Sequence, residues 1–248
     1  MATTPDDATA SADPSGVLAW AAACRKPSGV MRVFEDIVGD GLPATQLWTC
    51  SLLLLRHLER DASLAWRGTR VLELGSGAGH LAVGLSRLGA HVIATEGGAR
   101  FGTRDANPYA TLCAWTRHLQ AERPPNALGG TLALRELAWG DDDGVGGDAA
   151  LRTADVVLMC EVVYDISAHD ALLATLRRVL TSPSQVCYSM FADRPFSLGF
   201  MILLDDDGTF EVEQLEPTEL LGMEEDEVLH MHRIRRRPGV DAPGLSEG

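Results

Sequence analysis

Four short apolar runs recur along the chain: Arg70–Leu74, His91–Thr95, Asp155–Cys160 and Gln185–Met190. They are rich in Val, Ile and Leu and lack polar alternation, which marks strands buried on both faces. A weaker run covers Thr131–Leu137. Between them lie stretches of helical periodicity at Gly79–Leu88, Arg100–Gln120 and Ser167–Leu180. Parallel strands need a long crossover, usually a helix. The alternation therefore predicts right-handed βαβ units and a doubly wound, mostly parallel α/β sheet. The two ends behave differently. Val30–Val38 reads as a strand, Gly39–Gly41 as a turn, and Leu47–Arg60 as a helix ahead of the first core strand. Near the other end, Phe210–Leu215 and Val228–Arg235 read as two strands with no long helix between them. Hairpin spacing there predicts an antiparallel C-terminal strand. The segment Gly140–Gly147 carries three Asp and three Gly within 141–147 and reads as a flexible surface connection.

A length of 248 residues suits one α/β domain with a substantial core. The expected division is a disordered tail over 1–16, one domain over 17–237 and a flexible tail over 238–248. The first sixteen residues lack the basic and apolar regions of a secretory signal. No run of about eighteen apolar residues occurs, so no membrane partner is expected. The net charge of -14 argues against nucleic acid, whose binders cluster Lys and Arg to neutralise phosphates. One basic run, Arg233 with Arg235, Arg236 and Arg237, reads as a solvated strand end. The cysteines, Cys24, Cys50, Cys113, Cys160 and Cys187, form no CxxC pair and no zinc-spaced cluster. They read as free thiols of an intracellular protein, cytoplasmic or nuclear.

The stretch from Val71 to Gly79, VLELGSGAG, carries the chemistry. A strand runs into Gly75, Gly77 and Gly79, and a helix follows. Gly75 suits a tight turn that a Cβ would obstruct, and Gly77 lets backbone approach a ligand. Gly79 lets the helix pack close to the strand. The ligand then lies at the carboxyl end of the first strand, at the topological switch point. Glu73 precedes the first glycine by two residues. A carboxylate there suits the ammonium of a methionine moiety and would repel a pyrophosphate. Glu96 ends the next strand, 21 residues after Gly75, where an acid can accept both ribose hydroxyls of an adenosine. The GxGxG spacing also departs from the dinucleotide GxGxxG. Nicotinamide or flavin binding, or a turn without a ligand, are the alternatives. His80, next after the loop, reads as a structural residue at the helix start. Asn107 reads as a helix cap ahead of Pro108.

From roughly Val30 to Arg235 the chain resembles the methyltransferase-like protein-lysine methyltransferases, methyltransferase family 16. The resemblance rests on Leu47-Trp48, the run Glu73 to Leu81, Thr95-Glu96 with Asn107 after it, Leu137 to Gly140, and Cys160 to Asp165. The last stretch matches the family's acidic-x-x-Tyr motif, with Glu161 where most members carry Asp. Several members likewise carry Asp where this chain has Glu96. The terminal strand pair after the βα units also fits the class I methyltransferase topology, a Rossmann-like seven-stranded sheet.

The resemblance implies S-adenosyl-L-methionine as cofactor. Trp48 would flank it, Gly75, Ser76 and Gly77 would wrap its methionine part, and Glu96 would hold its ribose. Trp139 would meet the adenine region, and Cys160 would supply backbone at the motif's edge. The implied reaction is transfer of a methyl group to a lysine of a protein substrate, by a monomer and without a metal. A lysine amine has a reference pKa near 10.4 and arrives protonated. Glu161 and Tyr164 are expected to orient it by hydrogen bonds, Glu161 also stabilising the ammonium on entry. Two other functions fit the glycine motif equally. One is methylation of a small molecule or another side chain, because acceptor choice lives in variable loops. The other is a non-catalytic module that keeps the cofactor site.

Overall fold

The computed structural model describes residues 49–61, 63–98, 107–121, 128–141, 145, 148–194, 196–216 and 228–240. The expected strand at Val30–Val38, Trp48, Cys24, the expected tail over 1–16 and residues 241–248 of the other expected tail lie outside the described residues. The described chain opens with α1 (Thr49–Arg60) and β1 (Arg70–Leu74). It continues through α2 (His80–Arg87), β2 (His91–Glu96), α3 (Pro108–Ala121) and β3 (Thr131–Glu136). After α4 (Ala149–Arg152) come β4 (Val156–Cys160), a 3-10 turn (Ile166–Ala168), α5 (His169–Val179) and β5 (Val186–Ala192). The last elements are α6 (Gly199–Asp207), β6 (Phe210–Leu215) and β7 (Leu229–Arg236).

These strands form one seven-stranded sheet in the order β3-β2-β1-β4-β5-β7-β6. β7 runs antiparallel to both β5 and β6, and the other pairings are parallel. The expected doubly wound sheet with an antiparallel C-terminal strand is what the chain builds. The order reverses between β1 and β4, so the carboxyl ends of these two strands border the switch-point crevice.

Alternation along the strands divides the core between the two faces. Val71 of β1 and Leu158 and Cys160 of β4 pack with Leu54, Leu58, Leu81 and Leu112 on one side. Leu72 and Leu74 of β1 and Val157 and Met159 of β4 pack with Leu172, Leu176 and Phe200 on the other. Period-two geometry therefore places Glu73 on the same face as Val71, toward α1 and α2. Asn107 Oδ1 accepts from Ala110 N at 3.1 Å, the cap that the sequence suggests for α3.

Three features depart from expectation. α6 lies between β5 and β6, where no helix was anticipated. Its sequence, GFMILLDDD, has an almost uniform apolar start and three acids at the end, so no helical stripe shows. Within the acidic loop, Val145 is buried in the second core, while 142–144 and 146–147 lie outside the described residues. In the basic run, Arg236 is buried rather than solvated. Its Nε donates to Leu180 O at 2.8 Å and its Nη2 to Arg177 O at 2.7 Å, supplying partners to carbonyls at the end of α5. Burial disfavours its charge, and Arg177 nearby adds to this.

Candidate active site

β1 delivers the chain into the glycine turn, and the turn is fixed by contacts to β2. Ser76 N donates to Thr95 O at 2.9 Å, and Thr95 N donates to Ser76 Oγ at 3.1 Å. Ser76 is thus tied to β2 through both its N–H and its side chain, and its C=O accepts from Gly79 N at 2.8 Å. Gly75 has φ 69. A Cβ there would lie 2.7 Å from Val162 Cγ1 and 3.0 Å from Trp139 Cζ2. Gly79 has φ 80, and a Cβ would press to 2.5 Å from Thr116 Cγ2 of α3. Both glycines are therefore required by backbone angle and by close packing. The Gly75 contacts also place Trp139, from the loop after β3, beside the turn.

Two carboxylates flank the loop. Glu96 ends β2, and its Oε2 accepts from Gly77 N at 2.8 Å while Oε1 accepts from Gly97 N at 3.0 Å. Burial raises its pKa, and these two N–H bonds work against that rise. Glu73 is buried, and its Oε2 has no hydrogen-bond partner among the described residues. Burial pushes its carboxyl up to about 8, opposed by bonds from Ser76 and Ala82 and helped by the negative Glu96. A buried carboxylate with an unsatisfied oxygen is costly unless a cation meets it. The donor set fits a ligand with an ammonium near Glu73 and hydroxyls near Glu96, as S-adenosylmethionine has. It does not fit a pyrophosphate against Glu73.

The opposite wall comes from the end of β4. Cys160 lies on the Glu73 face, with Ser51 Oγ of α1 3.6 Å from its thiol. Burial pushes the Cys160 thiol well up, and the charges of Glu161 and Glu73 add to that. Glu161 then adopts φ 56, a left-handed angle that a Glu rarely takes. Its N–H donates to Met190 O at 2.9 Å, so the turn is tied to β5. The reversal folds its buried carboxylate back over the sheet. Oε1 accepts from Cys50 Sγ at 2.7 Å and from Ala192 N at 3.0 Å. Oε2 accepts from Arg194 Nη1.

Tyr164 lies three residues on and is half exposed. Its phenol is pushed up chiefly by partial burial, then by the charges of Glu96 and Asp165, with Arg194 opposing. Printed contacts aside from these join the glycine loop to Glu96 through Gly77 and to Trp139 and Val162 through Gly75, and Cys160, Glu161 and Tyr164 follow at the end of the neighbouring strand β4. Trp48 lies outside the described residues. His80 starts α2, and its ring is 5.7 Å from that of Trp115. Burial pushes its pKa down to about 4, so the ring is neutral and structural near pH 7. Sequence reasoning missed Cys50 and Arg194. Nothing in their neighbourhood signals them, apart from a charged pair, Asp193 and Arg194, after a fully buried strand. Among the described residues, no three His, Cys, Asp or Glu converge as a metal site.

Comparison with known proteins agrees with this geometry. The lysine methyltransferase family matches residues 26–207. The protein-lysine N-methyltransferase EFM3 of Chaetomium thermophilum is 30% identical over 153 residues, covering 58% of this chain and 40% of that protein. The chain thus spans about two fifths of that relative's length. Among solved structures, the glycopeptide N-methyltransferase MtfA complexed with sinefungin superposes with a TM-score of 0.55 at 13% identity, covering 77% of this chain and 96% of MtfA. The methyltransferase domain of bacterial CtHen1 gives a TM-score of 0.52 at 12% identity, covering 75% of this chain and 100% of that domain. At such identities the likeness speaks for the fold. With the fold of S-adenosylmethionine-dependent methyltransferases and a family match across most of its length, the chain belongs to the lysine methyltransferase family.

Proposed function

We propose that the protein is an S-adenosylmethionine-dependent methyltransferase that modifies a lysine side chain of a protein substrate. The observation that carries this reading is a pair of buried carboxylates, Glu73 on β1 and Glu161 directly after the neighbouring strand β4, at the switch point of the sheet. Glu73 has an unsatisfied oxygen on the cofactor side, and Glu161 is held on the acceptor side. When bound, the cofactor supplies an electrophilic methyl group on a sulfonium. Glu73 receives its ammonium, Glu96 its ribose hydroxyls, and the backbone of Gly75, Ser76 and Gly77 its methionine part. Gly79 keeps the loop close to α3. Trp139, beside Gly75, borders the adenine region, and Cys160 closes the floor.

On the acceptor side, Glu161 and Tyr164 orient the amine so that its lone pair faces the methyl carbon. Alignment of this kind supplies up to roughly 7–11 kcal/mol in favourable systems. The name of the curated relative supports a protein acceptor. The protein works inside the cell as a monomer, and no described helix is long and apolar enough to cross a membrane.

Transfer of a radiolabelled methyl group into a cell lysate, resolved on a gel and followed by acid hydrolysis, tests the reading. A discrete protein band that yields methyl-lysine is expected. A small labelled product would move the acceptor to a small molecule. Cofactor binding without any label would leave a non-catalytic module. Glu161→Ala should abolish labelling while cofactor binding persists, and unchanged labelling would remove Glu161 from its role.

A further inference from the structure

The sequence expectation leaves Glu161 free to receive a lysine ammonium, but the folded chain does not. Its inner oxygen, Oε1, is fixed by Cys50 and by the Ala192 N–H. Its outer oxygen, Oε2, faces Arg194, whose side chain is 32% exposed while that of Glu161 is 5% exposed. The oxygen on the more exposed side therefore already has a guanidinium on it. Arginine stays protonated at any working pH and holds carboxylates in a fixed fork. An ammonium entering this neutral pair gains little attraction, and it meets the positive Arg194 and then the cofactor's sulfonium. A neutral amine avoids both penalties, because nearby positive charge favours the uncharged form of a base. It can still donate an N–H to Glu161 Oε2 and keep its lone pair free.

We infer that Arg194 is a positioning residue that neutralises Glu161 so that the crevice admits the acceptor lysine as the free amine and excludes the ammonium. The proton is left with bulk water before docking, and the nitrogen arrives with the lone pair that methyl transfer needs. The inference rests on the reading of lysine as acceptor.

The groups facing this pair come from several elements. Cys50 of α1 and Cys160 of β4 are thiols whose ionisation burial pushes far upward. Tyr164, in the turn after β4, is also raised. Asp193 adjoins Arg194, with His230 Nε2 of β7 3.8 Å from its Oδ1. Glu73 of β1 is raised to about 8, and burial raises Glu96 of β2 as well. A bound cofactor ammonium holds Glu73 ionised, which removes it as a variable.

The test uses n-butylamine as a lysine side-chain probe, with the full chain saturated in S-adenosylhomocysteine and calorimetry between pH 7 and 9. The wild type should bind butylamine about tenfold more tightly per pH unit, as the free base becomes available below its pKa near 10. Arg194→Met should bind the ammonium, at least tenfold more tightly than wild type at pH 7 and with no pH slope. Arg194→Lys should keep the wild-type slope. A flat wild-type profile, an unchanged slope in Arg194→Met, or no butylamine binding in any form would overturn the inference. Should Arg194→Met fail to hold S-adenosylhomocysteine, the wild-type slope decides alone. Methyl-lysine in the labelled lysate together with a flat profile would sink the role of Arg194 and leave the acceptor reading standing.

Discussion

Glu73 offers a perturbation whose sign differs between the free and the bound protein. In the folded chain its carboxyl is pushed from 4.5 up to about 8, chiefly by burial. At about 1.36 kcal/mol per pH unit, the ionised form is disfavoured there by roughly 5 kcal/mol. The folded state holds this proton more tightly than the unfolded chain does. Stability is therefore full below about 4.5, falls as pH rises toward about 8, and falls no further above that. Glu73→Gln removes the charge and the slope with it. The new buried amide lacks a partner for its N–H, at a cost of about 1–3 kcal/mol. The net gain at the upper end of this pH range is about 2–4 kcal/mol, or a Tm rise of about 4–16 °C in a chain of this size. Cofactor affinity moves the other way. A charge-assisted hydrogen bond contributes about 1.5–3 kcal/mol, so its loss weakens S-adenosylmethionine binding about 10- to 150-fold. Thermal melts from pH 6 to 9, with and without cofactor, read both effects. Wild-type binding at pH 7 should also release about one proton, seen as a buffer-dependent enthalpy. A Glu73→Gln protein that melts below wild type at every pH and keeps its cofactor affinity would refute the argument.

Arg236→Met strips donors from the Leu180 and Arg177 carbonyls and should cost roughly 2–4 kcal/mol in urea unfolding, with cofactor affinity per folded molecule unchanged. Gly75→Ala places a methyl against Val162 and Trp139 at a left-handed angle. It should lose at least 1–2 kcal/mol of stability and most cofactor binding, measured by melts and calorimetry. At Glu161, with φ 56, glycine relieves a strain that alanine retains. Glu161→Gly should therefore unfold about 1 kcal/mol later than Glu161→Ala in denaturant titration, with both inactive. Equal stability of the two would show that the left-handed angle is not maintained.

The strands were legible because a parallel strand in the middle of a sheet is buried on both faces and must be apolar throughout. β1 and β6 fall on the expected residues, and the other described strands shift by a residue or two. The doubly wound order follows from the need for a crossover between parallel neighbours. α6 was hidden because a helix lying over the sheet edge with Ile202 exposed and Leu204 buried need not carry a clean polar stripe. Arg236 was hidden because a buried arginine has the same letter as a solvated one. Only the backbone of α5, 56 positions earlier in the chain at Leu180, shows what it does.

The two sides of the crevice differ in legibility for one physical reason. The cofactor side is local in sequence. Strand, glycine turn and helix are consecutive, and the demand that no Cβ intrude at Gly75 and Gly79 writes itself into neighbouring letters. The acceptor side is assembled from distant segments, with Cys50 reaching Glu161 across 111 residues and Arg194 across 33. The acidic-x-x-Tyr letters mark where the proposed acceptor carboxylate begins. They do not show that its inner oxygen is fixed from α1 and β5, or that its outer oxygen meets a guanidinium. Those contacts decide whether the carboxylate draws in an ammonium or accepts from a neutral amine, and so they decide the chemistry. On the proposed reading, a motif specifies the reaction class while the state in which the nucleophile arrives is set by a residue outside it, Arg194, just past the end of β5.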